Sequence, residues 1–153
     1  METKNSVLKP FIGLDEITFK LNYDDVIAFL KNKKIDFNIE IWPNKGCFPE
    51  VAWSIIWIGK SISIFFALNK MFKIYVENDF SGTLNNGIKL KMTMEEATKI
   101  DPSLTYNDDE ENYISSNGYW LEESLDSGVI ESMTIFIKEI QDEEIFFSYK
   151  WCD

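Results

Sequence analysis

Two stretches decide how the chain is read: ITFKLNYDDV at residues 17–26 and IKLKMTMEEA at residues 88–97. Set against each other at an offset of 71, they agree in chemical type almost position by position. Apolar residues alternate first (Ile17, Phe19, Leu21; then Ile88, Leu90, Met92), the period of a strand with one buried face. A helix cap follows, Asn22 or Thr93, with an acid three positions later, Asp25 or Glu96. Thr93 and Glu96 have the spacing of a capping box, in which hydroxyl and carboxylate each accept a free backbone N–H from the other residue. Asp24-Asp25 and Glu95-Glu96 also put negative charge at the positive end of each helix dipole. The first helix is expected to run to about Lys33, and the second to stop near Ile100, ahead of Asp101-Pro102.

A series of strands follows each helix. Ile35, Phe37, Ile39 and Ile41 alternate with polar residues, which predicts a half-exposed strand. Strands near 49–58, 61–68 and 71–77 come next. The first two are joined by a two-residue turn within Ile58-Gly59-Lys60-Ser61, the last two by Asn69-Lys70. Ile62, Ile64, Phe66 and Leu68 share one face, as do Phe72, Ile74 and Val76. In the later half, strands near 112–115 and 119–125 flank Asn117-Gly118, a favoured hairpin turn. Asp126-Ser127-Gly128 leads into a strand near 129–138, and Ile145, Phe147, Tyr149 and Trp151 alternate along a last one. The fold class expected is α+β: two tandem strand–helix–antiparallel meander units, with a helix packed on one face of each sheet. Residues 1–77 form the first unit, 78–87 the linker (Gly82, Asn85, Asn86, Gly87) and 88–153 the second, acidic unit; one continuous domain is the alternative.

Composition narrows the chemistry. A chain of 153 residues with 45% apolar content buries enough surface to fold without a disulfide or metal. It has no His, and all 15 basic residues are Lys. It therefore lacks the usual general base near neutral pH, the commonest nitrogen metal ligand and the bidentate guanidinium. Residues 1–77 carry 10 Lys against 9 acids, whereas residues 78–153 carry 5 Lys against 17 acids. Such a negative half suits a basic partner and disfavours direct contact with nucleic acid or an anionic membrane. Val51 to Leu68 has the length of a membrane span, but Gly59-Lys60 breaks it, and it reads as two buried strands. Cys47 and Cys152 read as ordinary thiols in a reducing compartment. The N-terminus METKNSVLKPFIGLDE shows no apolar signal core, so a cytoplasmic location is expected.

The acids are the leading candidates for function. Asp108, Asp109, Glu110 and Glu111 form a run without the alternate spacing and central Gly of a Ca²⁺ loop, so it reads as a solvated loop or a partner-binding surface. Tyr113, Tyr119 and Trp120, with Glu122, Glu123 and Asp126, lie close to it in sequence and complete the expected partner-binding set. Strand alternation sets Tyr119, Leu121 and Glu123 on one face and Trp120 with Glu122 on the other, where Trp120 is either partly exposed or core. Trp53 and Trp57 read as core, and Trp42 as exposed. No catalytic residue, metal ligand or cofactor site is expected. A serine triad lacks its base, and Gly59-Lys60-Ser61 lacks the earlier glycine of a phosphate loop, with Ser54 in its place.

Residues 87–106 (GIKLKMTMEEATKIDPSLTY) and 117–140 (NGYWLEESLDSGVIESMTIFIKEI) resemble the strand–helix–meander units of small bacterial α+β proteins. Such units occur in tandem-repeat β-lactamase inhibitory proteins and in an outer-membrane assembly lipoprotein family, whose signal and lipid-attachment cysteine are missing here. An acidic, His-free domain of this size is also similar to the immunity proteins of bacterial contact-dependent inhibition and related polymorphic toxin systems. That resemblance implies stoichiometric binding to a cognate protein toxin, often a basic nuclease, and no enzymatic activity. Two other classes stay open: an acidic nucleic-acid mimic that occupies a host defence nuclease, and an enzyme using paired carboxylates.

Overall fold

The computed structural model describes residues 1–43 and 52–141. Cys47, Cys152 and the strand expected through Ile145, Phe147, Tyr149 and Trp151 lie outside the described residues. Three short strands, β1 (Val7–Lys9), β2 (Gly13–Leu14) and β3 (Ile17–Thr18), precede α1 (Tyr23–Asn32). After it come β4 (Asn38–Trp42), β5 (Trp53–Ile58), β6 (Ile62–Ala67) and β7 (Lys70–Glu77). Next, β8 (Thr83–Leu84) precedes α2 (Met94–Ile100). The rest comprises β9 (Thr105–Asn107), β10 (Asn112–Ser115), β11 (Tyr119–Glu123), β12 (Ile130–Phe136) and a 3-10 turn at Lys138–Gln141. The class is α+β.

Both helices start where local chemistry dictates. Asn22 Oδ1 accepts the Asp25 N–H at 2.9 Å, and Asp25 Oδ2 accepts the Asn22 N–H at 3.0 Å, a complete capping box. At α2 the box is half made. Thr93 Oγ1 accepts the Glu96 N–H at 3.2 Å, but Glu96 Oε1 takes the Thr93 hydroxyl proton at 3.0 Å, not the backbone N–H.

The strands after α1 and those after α2 share one eight-stranded sheet, in the order β4-β5-β6-β7-β12-β11-β10-β9. The seam is the antiparallel β7–β12 pair, with Ser132 opposite Glu77 and Phe136 opposite Lys73. A smaller sheet, β3-β2-β1-β8, pairs β1 and β8 in parallel. Residues 78–87, expected as a linker, thus contain β8 together with the buried side chains Phe80 and Leu84.

The helices and the small sheet lie against one face of the large sheet. Leu8, Leu14, Val26, Leu30, Met94 and Ala97 join Phe66, Ile74, Leu121 and Ile135 in the main core cluster. On the opposite face Trp53, Ile55, Phe65, Ala67, Phe72 and Ile137 form a second cluster. All six residues of β6 are buried, Ser63 among them, which explains why apolar side chains occur on both of its faces. β5 and β6 both lie within Val51 to Leu68, the stretch weighed above as a membrane span; among the described residues no helix is long and apolar enough to cross one.

Several local expectations need correction. No strand forms at 88–92: Lys91 takes φ +71°, and its N–H bonds the Ile130 carbonyl. Ile88 and Leu90 are nevertheless buried, so the alternation there reports packing without strand pairing. The β5–β6 turn holds three residues, 59–61, because Ile58 pairs with Ile62. The β6–β7 turn is Leu68-Asn69, one residue earlier than expected, since Ala67 pairs with Lys70. A register shift beside Phe65 and Phe66 gives β7 an extra residue, which sends Phe72 to the face opposite Ile74 and Val76. β4 is exposed throughout because it is the sheet's edge; of the alternating set only Ile35 and Phe37, which precede it, pack against the core.

Candidate functional site

The acidic run forms the turn between β9 and β10. Asn107 Oδ1 accepts the N–H groups of Asp109 at 2.9 Å and Glu110 at 3.2 Å, which folds the turn tightly. Glu111 takes φ +53°, and residues 108–111 are all exposed. The β11–β12 turn lies at the same end of the sheet, because adjacent antiparallel hairpins alternate ends. There the register shifts: Glu122 faces Ser132, Glu123 faces Ile130, and Glu131 becomes the extra residue of a bulge.

The two turns enclose a depression of about 420 Å³. Five glutamates line it (Glu110, Glu111, Glu122, Glu123, Glu131) together with Tyr106, Tyr113 and Leu125. Tyr106 is 53% exposed, and Leu125 is fully exposed. The tyrosine rings meet edge-on at 5.1 Å. Burial pushes the Tyr113 hydroxyl pKa up, helped by the negative charge of Glu123 and by Tyr106, so at neutral pH it stays a proton donor. Ser132 Oγ donates to Glu122 Oε1 at 2.9 Å, which fixes one carboxylate of the rim.

Of the expected partner-binding residues, Glu110, Glu111, Tyr113, Glu122 and Glu123 come together here. Asp108, Asp109 and Asp126 are exposed on the same two turns without lining the depression. Tyr119 does not belong to the surface: it is 1% exposed, with its ring in the main core. Trp120 faces the other side of the sheet, where it is half-buried against Phe136 with ring centroids 4.7 Å apart. Strand alternation separates it from Tyr113, because Tyr113 pairs with Leu121. Tyr106, Leu125 and Glu131 escaped the sequence reading; Tyr106 sits on a strand of three residues, and nothing local announces the bulge at Glu131.

A second polar cluster centres on Asp101, at the C-terminal end of α2. It is 3% exposed and accepts from Ser103 N and Oγ, Ser115 Oγ, Asn117 Nδ2 and the Tyr119 hydroxyl. Burial alone would raise its pKa, but the hydrogen bonds from Ser103, Ser115, Tyr119 and Asn117 outweigh that and hold the carboxyl far below the usual range. Burial, reinforced by the bond to Asp101, pushes the Tyr119 hydroxyl well above the usual tyrosine range. With the carboxyl pKa lowered and the phenol pKa raised, the two do not exchange a proton near neutral pH, so this pair holds structure. Asp101-Pro102-Ser103 carries the local signal of an Asx turn, whereas its partners beyond residue 110 carry none.

On β4 and β5, Glu40 accepts from the indoles of Trp42 at 2.5 Å and Trp57 at 3.0 Å, which hold its carboxyl below the usual range. Trp42, 39% exposed, stacks on the buried Trp53 at 5.9 Å. Among the described residues, no three Asp, Glu or Cys side chains converge to hold a metal ion. No family model matches this chain, and no curated protein or solved structure matches it either.

Proposed function

We propose that this protein is a cytoplasmic immunity protein: it binds a basic toxin domain, such as a nuclease, one to one and blocks it without catalysing a reaction. What carries the reading is the gathering of five glutamates around two tyrosines and the exposed Leu125. Carboxylates at that density raise the encounter rate with a Lys- or Arg-rich surface by roughly 10–10³ at low salt. The tyrosines and the leucine supply short-range contact once the partner has docked.

The finer architecture belongs to the same proposal: the chain is a duplicated helix–meander unit. Each helix is followed by four strands of the large sheet. Each N-cap residue also forms a bridge near the start of its half's last strand, Asn22 to Lys70, the first residue of β7, and Thr93 to Val129, the residue before β12.

The test has two parts. Co-expression with the basic protein that co-purifies from the native host should restore growth to cells which that protein poisons. Charge reversal at Glu110→Lys and Glu111→Lys should then slow association at least about tenfold at low salt, with the difference fading at high salt. An on-rate unchanged by the reversal, or toxicity undiminished by co-expression, rejects the reading.

A further inference from the structure

Over β5, β6 and β7 the sheet face turned away from the helices is apolar and shut off from solvent. Ile55 and Ala67 have no exposure there, and Phe72 has 2%. An antiparallel sheet that leaves one face to water carries polar side chains on it. This face instead presents Trp53, Ile55, Phe65, Ala67 and Phe72, so it requires a cover. Among the described residues neither helix packs on that cluster. Outside the strands its apolar neighbours are Phe19, Ile137 and Ile140, which leave most of three strands to be covered.

The described part of the chain ends at the rim of this cluster. Ile137 is buried in it and donates its N–H to the Phe72 carbonyl at 3.0 Å; Ile140, in the 3-10 turn that follows, packs on the same residues. Residues 142–153, DEEIFFSYKWCD, come next. Apolar side chains alternate there at Ile145, Phe147, Tyr149 and Trp151, the pattern of a segment with one buried face. Twelve extended residues reach about 40 Å, whereas β12 and β5 lie three strand spacings apart, about 14 Å. Charge agrees as well. The Lys73 ammonium stands over the rings of Phe65 and Trp53, 4.4 and 5.2 Å from their centroids, and the segment opens with Asp142, Glu143 and Glu144.

We infer that the C-terminal segment 142–153 crosses this face as a strap, laying its alternating apolar side chains on Trp53, Ile55, Phe65 and Phe72, with its opening acids beside Lys73. Tethered at the rim of the cluster, the segment meets its site at an effective concentration of millimolar order, which a separate partner would have to supply itself. The strap lies over β5 to β7, whereas the acidic depression lies between the β9–β10 and β11–β12 turns, so this inference and the toxin-binding reading stand or fall separately.

The experiment records proton–proton NOEs on the full chain, with a mixed sample of isotope-labelled and unlabelled protein to separate contacts within one molecule from contacts between two. Ring protons of Phe147, Tyr149 and Trp151 should give NOEs to Ile55, Phe65 and Phe72, all within one molecule. In the full-length variant carrying Phe147→Ser and Tyr149→Ser, the contacts of Trp151 should be lost and the Ile55 methyl and Phe72 ring signals should shift. Val26 and Leu121, which lie in the other core cluster, should keep their positions and so report that the fold is intact. Should the variant fail to fold, the wild-type NOEs decide alone. Random-coil shifts through 145–151, NOEs from the segment to helix-side residues such as Leu30, NOEs between two molecules, or NOEs from Phe48 in place of the segment would each overturn the inference. Ile55 and Phe72 signals that ignore the double substitution in a folded variant would overturn it too.

Discussion

Asp101 shows how much one residue can decide. Its charge sits in the protein interior and is held by oriented O–H and N–H groups; among the described residues no lysine pairs with it. Those donors come from the α2–β9 connection, the β10–β11 turn and Tyr119, so a single carboxylate ties three segments together. Asp101→Asn keeps the shape but turns an acceptor into a donor that faces other donors. At neutral pH this should cost about 2–4 kcal/mol, as expected when charge-assisted bonds are lost and buried donors are left unpaired. The sign of the pH dependence follows from the lowered pKa. The stabilisation is complete above the unfolded aspartate value of roughly 3.9 and drains away as pH falls below it, because the unfolded chain takes up the proton first. The gap between wild type and Asp101→Asn in urea unfolding should therefore narrow between about pH 5 and about pH 2. A gap independent of pH would mean that the ionised form is not what stabilises.

Elements differ in how openly the sequence announces them. The caps at Asn22 and Thr93 were legible because partners three residues apart define them, and the strands of β5 to β7 because buried positions recur locally. Register was not. The extra residue that turns Phe72 over and the bulge at Glu131 depend on which strand lies alongside, and no window of one strand contains that information. The β10–β11 hairpin lies between these cases. Asn117-Gly118 marks the turn, but the demand on Gly118 comes from elsewhere. Its φ is +95°, and a Cβ placed there would lie 2.3 Å from Phe11 Cζ, a ring that also packs edge-on against Phe136 at 6.1 Å. Gly118→Ala should thus lose about 2–4 kcal/mol through left-handed strain and the clash together. Adding Phe11→Ala should recover the clash component, with a coupling energy above about 0.5 kcal/mol in a double-mutant cycle. Strict additivity would place the whole penalty in the backbone.

At the scale of the molecule, the acids and tyrosines of the candidate surface could be named from the sequence, but their gathering could not. Glu110 and Glu131 meet only because two hairpins end on the same side of one sheet. Charge asymmetry between halves was visible; the seam between them was not, since nothing in β7 or β12 alone names the other as neighbour. That seam carries the last prediction. Ile74 pairs with Ile135, and Val76 with Met133, across β7 and β12; all four are buried in the cluster that also holds Leu8, Val26 and Ala97. Separated, each half would expose a long apolar edge strand, an arrangement that invites aggregation. The two halves should therefore unfold together. Ile135→Ala, at a site with no solvent exposure, should cost about 2–5 kcal/mol by opening a cavity. In native-state hydrogen exchange, the loss should appear equally at the amides of Ile64 in the first half and Leu121 in the second. Protection that persists at Ile64 while Leu121 opens would show that the halves stand independently, and that the seam joins two finished domains.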